Sequence, residues 1–143
     1  MNSSVATRPK RLWAITILDI AVALISLGAL LFALFSTRVP ADVRPGAYAA
    51  AFLACISLSL IVSCVLALLR HPYGRWLALG SAVVFFGLVW TQSALLLIQV
   101  GDALPRAAAN KLGATVVRSS IEIGLNLWVF LSAKTAEYFR SGP

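Results

Sequence analysis

Ala47 to Leu69 reads AYAAAFLACISLSLIVSCVLALL and holds no charged residue. A hydrocarbon core of about 30 Å is crossed by about 20 helical residues, so this run is long enough to span one. Lipid offers the backbone no hydrogen-bond partners, which predicts an α-helix here. Three more apolar runs lie on either side of it. Leu12 to Ser36 carries one charge, Asp19; Trp76 to Val100 carries none; Gly113 to Ala133 carries Arg118 and Glu122. The connections are short. Arg70 to Arg75 (RHPYGR) is a turn with Pro72 and Gly74, and Thr37 to Gly46 contains Pro40, Pro45 and Gly46. Gly101 to Leu112 (GDALPRAAANKL) is expected to form a short interfacial helix.

The whole composition agrees with this reading. Of 143 residues, 60% are hydrophobic and 12% charged, and the mean hydropathy is +0.90. A soluble domain of this length has too little interior to hide that much apolar surface. A soluble globular enzyme, a disordered tail and a disulfide scaffold are therefore excluded. The expected fold is an all-α integral membrane protein. It is a four-transmembrane-helix antiparallel bundle with short loops and one domain, its helices over about 12–36, 47–69, 76–100 and 113–136. The first run follows Arg8, Lys10 and Arg11 as a signal peptide would, but it exceeds an h-region in length and contains Asp19, so it is expected to be a retained helix.

Lys and Arg number 12 and Asp and Glu 5, a net charge of +7. The basic residues flank the apolar runs instead of forming one stripe, so no nucleic acid is expected as a partner. Lys and Arg accumulate on the cytoplasmic side of membrane helices. With the N-terminus inside, Arg8, Lys10, Arg11, Arg70, Arg75, Lys134 and Arg140 fall on the inner side, and Arg38, Arg44, Arg106 and Lys111 on the outer. That excess favours a cell (plasma or inner) membrane location with both termini cytoplasmic. Trp13, Tyr73, Trp76 and Tyr138 then sit near the inner interface. The segments Arg8 to Ile15 and His71 to Leu79 look alike, which reflects a shared pattern of basic flank, Trp and apolar helix more than a duplication.

Cys55 and Cys64 lie in one helix about 13 Å apart along its axis, too far to bond to each other. They are read as packing residues. His71 is the single histidine and has no metal-ligating neighbours in sequence. No cofactor, metal or catalytic residue is expected, and the chain is not expected to be an enzyme.

The polar residues inside the spans are the informative ones. A charge at the bilayer centre costs about 2.5–3.5 kcal/mol on insertion scales, and each Leu, Ile, Val or Phe offsets only about 0.3–0.6 kcal/mol. The fourth run is marginal by that arithmetic unless its charges find partners. Arg118 and Glu122 are four apart, so they share one helix face, with Thr115 and Asn126 on the same stripe. At a rise of about 1.5 Å per residue, Asp19 lies about 9 Å above Trp13, Asn126 about 12 Å above Lys134 and Ser63 about 10 Å above Arg70. These three are expected to share a hydrogen-bonded layer. Glu122 lies higher, at about 18 Å, while Gln92 at about 25 Å and Arg118 at about 24 Å are expected to meet in an outer layer. The intramembrane polar network is thus Asp19, Ser63, Gln92, Arg118, Glu122 and Asn126. Small-residue stripes are expected to face the interior or another subunit: Ala51, Cys55, Ser59, Ser63 and Ala67; Asp19, Ala23, Ser26, Leu30 and Ala33; and Gly80, Val84, Gly87 and Thr91.

Four helices with an acidic residue in the first resemble the small multidrug resistance transporters in architecture. This chain is longer, its loops differ, and Arg118 with Glu122 in the last helix departs from that pattern, so no residue role is carried over. Besides the lipid bilayer, the expected partner is another membrane protein or a second copy of the chain. The leading expectation is an accessory subunit that binds another membrane or membrane-targeting protein. The alternative is a homo-oligomeric proton- or cation-coupled transporter or channel, with Asp19 and Glu122 as coupling sites.

Overall fold

The computed structural model describes residues 9–38, 44–100 and 103–140. Arg8, Pro40, Gly101 and Asp102, which enter the readings above, lie outside them. Five helices follow one another: α1 (Lys10–Phe35), α2 (Ala47–Leu68), α3 (Gly74–Val100), α4 (Arg106–Leu131) and α5 (Ala133–Arg140). No strand occurs among the described residues. The first four are long and apolar enough to cross a membrane. Proline cannot donate to a helix ladder, and Pro9, Pro45, Pro72 and Pro105 all lie outside the helices.

Each helix packs on its sequence neighbour. The core holds Ala23, Leu60, Cys64, Ala67, Ala78, Ala82, Phe86 and Phe130, all nearly inaccessible. The seam between α3 and α4 is the widest, and α1 meets α4 over a narrow one. Large apolar side chains, among them Ile25, Phe35, Val62, Ile98 and Val117, remain exposed on the outer faces. Their surface suits a lipid bilayer environment, not water.

Three boundaries carry physical detail. At the end of α2, the Arg70 N–H bonds to the Ala67 carbonyl and the His71 N–H to the Leu66 carbonyl. This double closure ends the helix with Arg70 in the left-handed region at φ 61°, a place usually taken by glycine. Gly74 then opens α3 hard against α2: a Cβ there would lie 2.7 Å from the Leu66 carbonyl oxygen and 2.8 Å from the Ala67 nitrogen. Only glycine permits that approach. The α1–α2 connection is drawn in by Arg44, whose Nη2 donates to the Ser36 carbonyl at 3.0 Å.

Two expectations about the fourth helix are corrected. The segment before Gly113 is not a separate interfacial helix. Pro105 stands at the N-cap, and the strong helix formers after it join α4 from Arg106 without a break. At the other end the helix does not run on to about residue 136. Ser132 turns extended, with ψ 145°, and starts α5 by accepting the Thr135 N–H on its hydroxyl at 3.4 Å. The Phe130 carbonyl left at the end of α4 accepts a 2.6 Å bond from Arg75 Nε of α3. Arg70 Nε reaches α5 in the same way, donating to the Tyr138 carbonyl at 2.7 Å, with its guanidinium 4.6 Å from the Tyr138 ring centre.

The small-residue stripes are corrected in part. Asp19 and Ala23 of α1 are buried and Ser26, Leu30 and Ala33 half-buried, so that stripe faces inward. Of the α2 stripe only Ser63 and Ala67 are buried, while Ala51, Cys55 and Ser59 are exposed. A strict fourfold spacing drifts by about 40° per step on a helix of 3.6 residues per turn, so four steps carry it to the opposite face. In α3, Gly80, Val84 and Thr91 point outward, and the buried face is Ala78, Ala82, Phe85 and Phe86.

Candidate functional site

The narrow α1–α4 seam holds the polar residues. Asp19 and Asn126 are both fully buried and Glu122 is 7% exposed. Asn126 Nδ2 donates to Asp19 Oδ1 at 3.3 Å, across the seam. The same amide donates to the Glu122 backbone carbonyl, one turn earlier in α4, at 3.0 Å. That second bond fixes the amide, so it presents one donor to α1. The Glu122 carboxylate is close enough to act on Asp19 electrostatically, and Asp19 acts in turn on the buried Cys64 of α2. Below Asp19, Thr16 turns its hydroxyl to the Leu12 carbonyl at 2.7 Å and offers Asp19 no bond.

The cluster is rich in acceptors and poor in donors. Asp19 Oδ2, Glu122 Oε2 and Asn126 Oδ1 are all buried without a hydrogen-bond partner. Each belongs to a different side chain of the same cluster, and each is an acceptor. A buried polar atom normally has a partner, because its lost hydration is otherwise uncompensated. Arg118 relieves only the edge: its Nε lies 3.9 Å from Glu122 Oε1, and its side chain is 65% exposed. Two carboxylates therefore face one peripheral cation.

The other two expected members stand elsewhere. Ser63 is buried, but its hydroxyl donates to the Ser59 carbonyl at 2.6 Å and lies 2.8 Å from the Ser81 hydroxyl of α3. It ties α2 to α3 and makes no bond to Asp19. Gln92 is exposed on α3 and is not joined to Arg118 by any hydrogen bond among the described residues. Thr91 beside it bonds its own helix, donating to the Gly87 carbonyl at 2.8 Å. Ser81 is a bridging residue that the sequence reading does not include; a small hydroxyl in an apolar run is the signal that marks it. Among the described residues, no three His, Cys, Asp or Glu side chains group as metal ligands. Cys55 is exposed and Cys64 buried, both with free thiols. His71 lies on the α2–α3 turn, its ring 6.0 Å from that of Tyr73.

The chain is thus an all-helical protein with four membrane-length apolar helices and a buried acidic cluster between the first and the fourth. Comparison with known proteins finds no match: no family model, no curated protein and no solved structure aligns significantly with it.

Proposed function

We propose that the chain is a multi-pass membrane protein, an antiparallel bundle of four spans, whose Asp19–Glu122–Asn126 cluster binds a proton or small cation. It works as the coupling or conduction site of a small homo-oligomeric transporter or channel. The observation that carries this reading is the set of three unpartnered buried acceptors on three neighbouring side chains. A proton on either carboxylate, or a cation between them, supplies the missing donor or charge. Carboxylates held inside a membrane span are costly and tend to serve ion pathways. Four helices are few to enclose a path, so two or more copies complete it. With both termini cytoplasmic, the cluster lies nearer the cytoplasmic face of the cell membrane.

The test is ion flux in liposomes containing the purified full chain. An imposed membrane potential drives protons, read by an entrapped pH dye, or sodium, read with a tracer. Flux above protein-free liposomes that Asp19→Asn abolishes and Arg118→Gln leaves within about twofold fits the reading. Flux equal in wild type and Asp19→Asn, or no flux of either ion in wild type, sinks it.

The accessory-subunit reading is supported by α1. Only 11% of its most apolar stretch is buried, against 22% to 28% in the other three spans. That leaves most of one helix for a foreign membrane protein. Crosslinking in the native membrane separates the two readings. A single heterologous partner on α1 favours the accessory role, and self-crosslinks alone favour the transporter.

A further inference from the structure

At the end of the bundle where α1 begins and α4 gives way to α5, a cavity of about 760 Å3 opens between the two ends. Pockets that hold small ligands run from about 300 to 1,000 Å3. Lys10, Arg11 and Lys134 line it, with Glu137 as the one acid. Glu137 already has an interaction of its own. Lys10 and Lys134 are exposed and have no ion pair or hydrogen bond among the described residues. Arg11 is held in place, its guanidinium 4.7 Å from the ring centre of Trp128, which forms part of the same wall. Pro9 gives α1 no side-chain cap, so the first N–H groups of that helix add to the positive end. On the outer face of α4 beside the cavity, Leu127, Trp128 and Leu131 are exposed and apolar.

We infer that this cavity binds the phosphate headgroup of an anionic phospholipid. The cations meet the phosphate, and the acyl chains run along the exposed face of α4. Three cations against one acid match an anion in charge, and the adjoining apolar wall is what a free phosphate would not use. Basic pockets between helices on the cytoplasmic side of membranes suit such headgroups, each Lys or Arg contributing about fivefold in affinity near the surface. The inference rests on the reading of α1 and α4 as membrane spans. It does not depend on the Asp19 cluster.

The experiment uses the full chain in neutral detergent. Native mass spectrometry counts bound phosphatidylglycerol against phosphatidylcholine with matched chains. Wild type is expected to retain phosphatidylglycerol preferentially. Lys10→Gln with Lys134→Gln should weaken that binding tenfold or more. Arg106→Gln with Lys111→Gln, which removes the same charge at the opposite end of α4, should change it less than twofold. Glu137→Gln, which removes no cation, should strengthen it. Excess inorganic phosphate should leave the lipid bound. Equal losses in the two double variants, no preference in wild type, weaker binding in Glu137→Gln, or displacement by inorganic phosphate would each overturn the proposal. Failure of the membrane reading looks different: the chain would then be recovered in soluble form without detergent.

Discussion

Helices α2 and α4 are neighbours of α3 with opposite characters. Over their most apolar stretches the mean hydropathy is 2.6 for α2 and 1.2 for α4. α2 has no charge and buries Ala50, Leu60, Cys64 and Ala67 as an apolar stripe relieved by Ser57 and Ser63. α4 buries Ser119, Glu122 and Asn126 alongside Val129 and Phe130. Both helices are long and apolar enough to cross a membrane, but α4 has the narrower margin. The contrast teaches that α4 holds its acidic cluster at a cost in hydropathy, which would weigh against insertion of α4 on its own.

The sharpest way to break that contrast is to test the two segments alone. In a translocon-insertion assay, α2 is expected to insert nearly completely and α4 poorly. Arg118→Leu with Glu122→Leu should improve insertion of α4 by about 5 kcal/mol or more. Complete insertion of unmodified α4 would remove the contrast. Within the folded chain, Asn126→Leu takes away the one amide that donates to Asp19. The expected loss is about 1.5–3 kcal/mol in detergent unfolding, the range for hydrogen bonds to charged groups. No loss would mean that Asp19 is satisfied in another way.

On the α2 side the closest approach is steric. Gly74→Ala puts a methyl group 2.7 Å from a backbone oxygen that cannot swing away. It should cost about 1–3 kcal/mol, as overpacking does, and leave the Asp19 cluster untouched. The smallest effect is expected at Ser63, whose hydroxyl meets Ser81 at 2.8 Å. Hydrogen bonds between membrane helices average about 0.6 kcal/mol, so Ser63→Ala should lose about that much. A loss as large as that of Asn126→Leu would place Ser63 in the acidic cluster after all.

Much of the fold was legible because apolar length and the positions of proline and glycine fix where membrane-length helices start and stop. α1, α2 and α3 lie within two residues of their expected bounds. The end of α4 was not legible, since an extended Ser132 is stabilised by the Thr135 N–H and by Arg75 capping from another helix, neither of which is a local signal. At the site, height along a helix could be read from residue number but rotation could not. Asp19 and Asn126 share a height and also face each other. Ser63 shares that height, yet it is turned towards α3. Gln92 and Arg118, expected at one height, are both exposed. From sequence the basic residues of the α1–α5 cavity serve only as topology markers, because the helix break that gathers Lys134 with Lys10 has no local signal.

The most direct test of the acidic cluster is infrared difference spectroscopy of the full chain in lipid, comparing low with high pH and sodium-free with sodium-loaded samples. A carboxyl band that responds to pH or sodium in wild type and disappears in Asp19→Asn is the predicted result. A spectrum in which neither pH nor sodium moves any band lost in Asp19→Asn would contradict it, leaving Asp19 as a fixed structural partner of Asn126.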